Sequence, residues 1–204
     1  MPSELPRPPR RASPAQLLEQ FLPALWQALN AEAGIPWPEG SATVEVHVDA
    51  AVFHLTFDAK GLHAAAGAAP APLATVRCDL DAYHVTSQDI LPRVIAFTEA
   101  QLRRAHRALH EVARHPDLAR LAELLAPHAG RLNLVYTDDA GDVSTCEVDI
   151  GTGSGPVATV QLSDTDLDAL LQGGKAGLVK LLRGRIRITG DASYVLKLAA
   201  LVKG

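Results

Sequence analysis

Cysteine and aromatic residues are scarce in this chain, and each scarcity excludes a class of protein. Two cysteines in 204 residues are too few for a disulfide framework or a four-cysteine metal site. Aromatic residues make up 4% of the chain, so few rings are available for stacking nucleobases. The formal net charge is −4, whereas general nucleic-acid binders are basic. From the charge and the few aromatic residues we expect no nucleic acid partner. From the few cysteines we expect a protein of a reducing compartment.

Long apolar runs are also missing. A membrane-spanning helix needs about 20 consecutive apolar residues, and no segment approaches that length. The N-terminal residues are rich in Pro and Arg and lack the apolar stretch of a secretory signal. Hydrophobic residues nevertheless reach 48%, which is enough to build a core. We expect a soluble, cytoplasmic, globular protein.

The chain divides into a leader and two halves. Residues 1–12 are interpreted as a flexible leader because of their composition. Ser13 and Gln16 have the spacing of a capping box with Pro14 at the first helical position, which predicts a helix start. Pro23 falls inside the following apolar periodicity and is predicted to kink that helix.

Alternating apolar and polar residues predict a sheet with one buried face. The predicted strands lie near 43–49, 53–57, 74–80, 132–136, 146–150, 158–162 and 185–189. A helical period dominates 87–126 instead, and shorter helices are predicted after Ser163 and after Asp191, which are typical N-caps. The fold class is therefore predicted to be α+β, with a mixed or antiparallel sheet covered by short helices.

The two halves, 13–114 and 115–204, resemble each other. The segment 73–76 (LATV) is similar to 157–160 (VATV), and 53–57 (FHLTF) is similar to 132–136 (LNLVY). This indicates a diverged duplication. Chance similarity between two alternating strands is the alternative, and the first half lacks a counterpart of the strand at 185–189.

Each candidate catalytic group in the sequence has a non-catalytic explanation. His106 and His110 are four residues apart, a spacing that suits a metal, but four arginines surround them and a solvated basic face explains the pattern. The glycine-rich segment 151–155 leads into a strand, whereas a phosphate loop leads into a helix. Cys78 and Cys146 lie on inward strand stripes and are interpreted as buried, inert thiols. We expect no catalytic residues, no metal, no cofactor and no enzymatic activity.

One family resemblance emerges in the second half. The stretch 158–173 is a strand pattern that ends in a Ser/Asp-capped helix and a glycine, and 182–191 (LRGRIRITGD) matches a glycine–cation–strand–Gly-Asp pattern. In order and spacing these segments resemble the sterol carrier protein type 2 domain family, with Arg185 at the usual lysine position. The resemblance covers roughly residues 116–204. The first half resembles the family only weakly, as a degenerate repeat or an unrelated cap.

The resemblance implies an α+β fold in which a five-stranded sheet and helices enclose an apolar tunnel. It implies lipid binding or lipid transport without catalysis, with sterols, fatty acids, acyl-CoA or isoprenoids as the ligand classes. Some bacterial members resemble accessory proteins of ubiquinone biosynthesis.

On this basis we predict a set of lining residues and a set of head-group residues. The predicted lining is Leu162, Leu167, Leu170, Leu171, Leu178, Leu181, Ile186, Ile188, Val195 and Leu198. The predicted head-group residues are Arg183, Arg185 and Arg187, and an outward strand face is the other interpretation of these arginines. A solid core is the other interpretation of the apolar set, because periodicity does not distinguish a packed interior from a hollow one.

Two functions therefore compete, and a third, a lipid-modifying enzyme or enzyme subunit, needs a polar cluster inside the cavity that nothing in the sequence requires. The first is a carrier whose partner is a hydrophobic small molecule or lipid, with transient membrane contact. The second is an interaction or accessory module with a filled core, whose partner is an enzyme of a lipid or ubiquinone biosynthetic complex. Leucine counts do not separate the ligand classes.

Overall fold

The computed structural model of the protein describes residues 5–33, 40–96, 98, 123–151, 154–169 and 186–201. These residues form one eight-stranded mixed sheet with helices packed on its apolar side. The α+β prediction is confirmed. The strands are β1 (Ala42–Val48), β2 (Ala51–Asp58), β3 (Gly61–Ala66), β4 (Ala74–Cys78), β5 (Gly130–Thr137), β6 (Val143–Ile150), β7 (Val157–Ser163) and β8 (Arg187–Gly190).

The sheet repeats one arrangement of three strands. Its order is β3-β2-β1-β4-β6-β5-β7-β8. Within the first half, β1 pairs antiparallel with β2 and parallel with β4. Within the second half, β5 pairs antiparallel with β6 and parallel with β7. The registers also agree, since Ala74 opposes Val44 and Ala158 opposes Leu132.

This repetition sorts the two similarities seen in the sequence. The segments 73–76 and 157–160 fall on β4 and β7, which occupy equivalent positions. The segments 53–57 and 132–136 fall on β2 and β5, which do not, because β2 corresponds to β6. The second similarity therefore does not relate equivalent strands. Alternation alone does not distinguish the first strand of a hairpin from the second.

Three further details of the strands differ from what the sequence predicts. The second half, to which the family resemblance applies, supplies four strands among the described residues, β5–β8, where the resemblance implied five. Strand β6 pairs antiparallel with β4, so these strands continue the sheet of the first half. Strand β3 was not predicted. Its sequence, GLHAAA, has low strand propensity, and pairing with β2 along its whole length overrides that preference. Leu80 was placed on a strand, but it begins a helix and its side chain is exposed.

The helices start where side chains cap them. Ser13 and Gln16 exchange hydrogen bonds with each other's backbone N–H groups, as the capping box predicts. A π-helical stretch, Gln16–Phe21, leads into α1 (Leu22–Ala33). The predicted disturbance at Pro23 thus takes the form of wider turns directly before it, because proline removes a donor and crowds the preceding turn.

Three more helices follow strands. Asp79 caps α2 (Leu80–Val85), which continues through a π-helical turn, Thr86–Ile90, and a helical segment 91–96. Ser163 caps α3 (164–169), and Asp191 caps α4 (Ala192–Leu201), both as predicted. A short 3₁₀ turn, Ala126–His128, precedes β5. No helix among the described residues is long and apolar enough to cross a membrane.

Among the described residues, packing on the apolar side of the sheet forms three core clusters. The first contains Leu5, Ala12, Leu17, Phe21, Leu25, Val48, Tyr83 and Ile95. The second contains Ile150, Ala158, Val160, Tyr194 and Val195. The third contains Leu18, Phe53, Leu55 and Leu62. Leu5 and Ala12 belong to the segment interpreted as a flexible leader, yet Leu5 is 3% exposed and the Tyr83 hydroxyl donates to the Ala12 carbonyl. Leu5 and Ala12 thus attach this segment to the core, whereas Arg7, Pro9, Arg10 and Arg11 between them are exposed.

Candidate functional site

A strip of apolar side chains crosses the middle of the sheet. The strand registers place Val46, Val76, Val148 and Leu132 side by side on four adjacent strands. All four are only partly buried, and so is Leu134, the next inward residue of β5. At the two ends of this row, Phe53 is 6% exposed and Ala158 is 0% exposed. The five partly buried residues together are called the central strip: Val46, Val76, Leu132, Leu134 and Val148.

The position of the central strip makes its exposure informative. Inward residues of central strands usually form the most buried part of a domain, because neighbouring strands and covering helices exclude water from them. Apolar surface left in contact with water forgoes about 25 cal/mol per Å² of stabilisation. An apolar ligand that covered the central strip would recover part of that free energy.

The predicted lining residues that can be placed converge beside this strip. Leu162, Ile186, Ile188 and Leu198 pack against the second core cluster, of which Val195 is a member. Leu167 lies on α3, half-buried and outside that cluster. The remaining predicted residues, Leu170, Leu171, Leu178, Leu181, Arg183 and Arg185, lie outside the described residues.

Arg187 does not join the predicted lining. It pairs with Gln161 on β7, while Ile188 pairs with Val160 of the second core cluster. Successive strand residues point to opposite faces, so the exposed Arg187 side chain lies on the polar face, away from Ile188. The position of Arg187 agrees with the other interpretation, an outward strand face. A role in binding a head group at the apolar face is not supported for this residue.

One recess lies where the two halves meet, at the beginnings of β1, β4 and β5. Its volume is about 320 Å³. Its lining comes from both halves: Ser41, Ala42, Thr43, Ala71, Pro72, Leu73, Leu125, Ala126 and Gly151. Leu125 also packs against the second core cluster. The amide of Gly151 donates to the carbonyl of Leu73 at 2.9 Å and holds the two walls together. We call this opening the seam recess.

A polar recess lies at the opposite ends of the strands. It has a volume of about 310 Å³ and is lined by Arg93, Asp139, Asp164, Thr165, Asp168 and Ala169. Asp164 organises it: the carboxylate accepts from the Tyr136 hydroxyl, the Arg93 guanidinium and the Asp139 amide. Arg93 belongs to the first half of the chain and Asp164 to the second, so this carboxylate also connects the halves.

The hydrogen bonds to Asp164 set its ionisation. The Tyr136 hydroxyl and then the Arg93 guanidinium hold the pKa of this carboxyl below its ordinary value, against the opposing effect of burial. Burial and the adjacent carboxylate raise the pKa of Tyr136. At neutral pH the centre is therefore a carboxylate held by a neutral phenol and a cation. This carboxylate thereby orders the recess.

The sequence predicts a helix start after Ser163 and gives no local signal for this centre. Capping does occur, because Ser163 and Asp166 hydrogen-bond to each other in the first turn of α3. Arg93 lies 71 residues before Asp164 in the chain. No local sequence pattern indicates that Arg93 and Tyr136 both contact this carboxylate. Only the tertiary fold brings these three side chains together.

The polar face of the sheet carries a separate ion cluster. Asp149 accepts from both Arg77 and Arg131, and Glu147 lies 3.0 Å from Arg131. The Arg131 guanidinium is the main cause of the lowered pKa of Asp149. These residues sit on β4, β6 and β5, so the cluster ties the central strands together on the side away from the apolar face. Within the described ranges, no group of three or more His, Cys, Asp or Glu residues is placed to hold a metal ion.

Comparisons with protein-family models, with curated proteins and with solved structures found no match to this chain. The family resemblance therefore stays a prediction that depends on the order and spacing of the motifs in the second half.

Proposed function

We propose that this protein binds and transfers a hydrophobic small molecule or lipid without chemically changing it. The observation that carries the proposal is the central strip, which leaves apolar residues of four central strands partly open to solvent. A ligand laid across it would contact strands from both halves. The sterol-carrier resemblance of the second half agrees with this function.

The energetics of such a site are favourable. Each methylene moved from water to an apolar surface contributes about 0.8 kcal/mol. A chain of a dozen methylenes therefore contributes on the order of 10 kcal/mol before the entropy cost of association is subtracted. The seam recess offers room for part of a ligand next to Leu125, which packs against the second core cluster.

The direct test is native mass spectrometry of the freshly purified full-length chain, followed by organic extraction and titration with a fluorescent fatty acid. We expect a reproducible apolar adduct and saturable fluorescent binding. A clean mass, together with no binding of the fluorescent fatty acid, a sterol, an acyl-CoA or an isoprenoid quinone, would overturn the proposal. That outcome would favour the interaction module with a filled core.

A matched pair of variants on β6 locates the site. Val148 belongs to the central strip, whereas Val143 is 64% exposed on the opposite face of the same strand. Val148→Phe adds bulk to the strip without adding charge, so we expect affinity for the fluorescent fatty acid to fall by at least about tenfold. Val143→Phe should leave affinity unchanged within about twofold. Equal effects of the two substitutions would contradict the assignment of the strip.

A further inference from the structure

Two thiols face each other across the pairing that joins the halves. Cys78 on β4 is the direct register partner of Cys146 on β6. Both residues alternate in phase with Val76 and Val148, so both side chains lie on the apolar face next to the central strip. Neither cysteine is bonded, and both are partly accessible to solvent.

The backbone geometry of this pair suits a covalent bond. Directly opposed residues of antiparallel strands have Cα atoms about 4.5–5.5 Å apart. Disulfides in proteins span Cα distances of about 4.4–6.8 Å. The pair therefore lies within bonding range with the sheet as it stands.

The surroundings distinguish the two thiols. The Cys78 thiol, and after it the Thr86 side chain, lower the pKa of Cys146 against the opposing effect of burial. Cys78 has the His47 carbonyl 3.6 Å away as a further acceptor for its proton. Its hydrogen bond with Cys146, burial and the nearby Asp79 and Asp49 carboxylates raise the pKa of Cys78. Cys146 is therefore the readier thiolate and Cys78 the thiol that keeps its proton.

We propose that Cys78 and Cys146 form a reversible dithiol–disulfide couple that covalently joins the two halves of the sheet. The oxidant is a low-molecular-weight disulfide of the glutathione class. The proposal does not depend on the proposed ligand-binding function. It replaces the earlier interpretation of both cysteines as inert.

The exchange balances in two steps. The Cys146 thiolate attacks one sulfur of the small disulfide, so that a Cys146–glutathione bond forms, the original S–S bond breaks and one glutathione thiolate leaves. Cys78 then releases its proton, and its sulfur attacks Sγ of Cys146. The mixed disulfide breaks and a second glutathione thiolate leaves. Overall, two protein thiols are oxidised to one disulfide, and one small disulfide is reduced to two thiols.

The test equilibrates the folded full-length chain with buffers of defined glutathione to glutathione-disulfide ratio, then quenches with an alkylating reagent and maps peptides by mass spectrometry without reduction. We expect an intramolecular link between Cys78 and Cys146 in the monomer. We expect its equilibrium constant to be at least about tenfold larger than in the same chain unfolded in urea, because the sheet holds the partners together. Two alkylated thiols at every ratio, a link between chains, or equal constants for folded and unfolded protein would each overturn the proposal.

Two single variants test the order of the steps. In Cys78→Ser the remaining Cys146 should accumulate the mixed disulfide with glutathione, because no resolving thiol is present. In Cys146→Ser the remaining Cys78 should react at least about tenfold more slowly. Equal rates would overturn the assignment of Cys146 as the attacking thiol. The wild-type measurement requires neither variant to fold.

Discussion

The edge of the sheet formed by β2 and β3 and the centre formed by β6 and β5 present the same alternating pattern, but they are covered to different degrees. At the edge, Phe53, Leu55 and Leu62 are 6%, 7% and 8% exposed. At the centre, Leu132 and Val148 remain partly exposed. Alternation predicts which face is apolar, but the burial of that face depends on which element packs on it.

The difference has a visible cause at the edge. Leu18, from the helical stretch before α1, is buried in the third core cluster, and Leu22 and Trp26 of α1 pack against it. The Trp26 and Phe57 rings meet edge to face with centroids 5.3 Å apart, a favourable aromatic geometry. The N-terminal helix thus closes the edge. In the central strip, Leu132, Leu134 and Val148 pack against the second core cluster and Val46 against the first and third, yet each of these side chains stays only partly buried.

The largest expected effect comes from breaking the closed edge. Leu18→Ala removes a side chain that is 6% exposed among Phe53, Leu55 and Leu62. We expect a loss of about 3 kcal/mol in the free energy of unfolding, because the cavity left behind is surrounded by fixed side chains. Urea denaturation measures it. A loss below about 1 kcal/mol would mean that this edge is as loosely packed as the centre.

The second effect concerns the carboxylate that connects the halves. Asp164→Asn keeps the shape of the side chain but removes the charge that Arg93 and Tyr136 hold. Hydrogen bonds to charged groups contribute about 2 kcal/mol, so we expect a loss of that order at pH 7. Because the folded-state pKa of Asp164 is lowered, its contribution is full above the unfolded value of about 3.9 and is lost as pH falls through the folded value.

The pH dependence supplies the control for this prediction. Urea unfolding from about pH 5 downwards should show a flatter decline for Asp164→Asn than for the wild type. The matched variant is Asp168→Asn, whose side chain is 55% exposed and lies 3.5 Å from Arg93. It should change stability by less than about 0.5 kcal/mol, as exposed pairs do. Equal losses from the two variants would show that burial of Asp164 is unimportant.

The smallest effect is expected in the central strip. Leu132→Ala makes the same chemical change as Leu18→Ala, but at a partly exposed position. We expect a loss of about 1 kcal/mol in the ligand-free protein, since part of the leucine surface is already in water. The same urea titration measures it. A loss equal to that of Leu18→Ala would show that the central strip is sealed, and would remove the main support for ligand binding.

Local signals in the sequence predicted much of the fold and little of the polar site. The strands with strict alternation and the caps at Ser13, Ser163 and Asp191 were predicted because each depends on neighbouring residues. Strand β3 was missed because an Ala-rich segment becomes a strand only through pairing with β2. The placement of Leu80 on a strand was wrong because the Asp79 cap starts a helix there.

The candidate site divides in the same way. Five of the predicted lining residues, Leu162, Ile186, Ile188, Val195 and Leu198, share the second core cluster, since a period of two or of 3.6 already places them on inward faces. The contact of Arg93 and Tyr136 with Asp164 was not predictable, because no periodicity relates residues on different elements of the two halves.

The sequence by itself determined the fold class, the apolar face of the strictly alternating strands and where most helices begin. Those properties depend on backbone preferences and side-chain alternation over a few residues. The tertiary structure alone decided the pairing of β4 with β6, which joins the repeated units, opposes Cys78 to Cys146 and sets the central strip across both halves. Strand partners are chosen by packing between segments distant in sequence, and no local pattern records that choice.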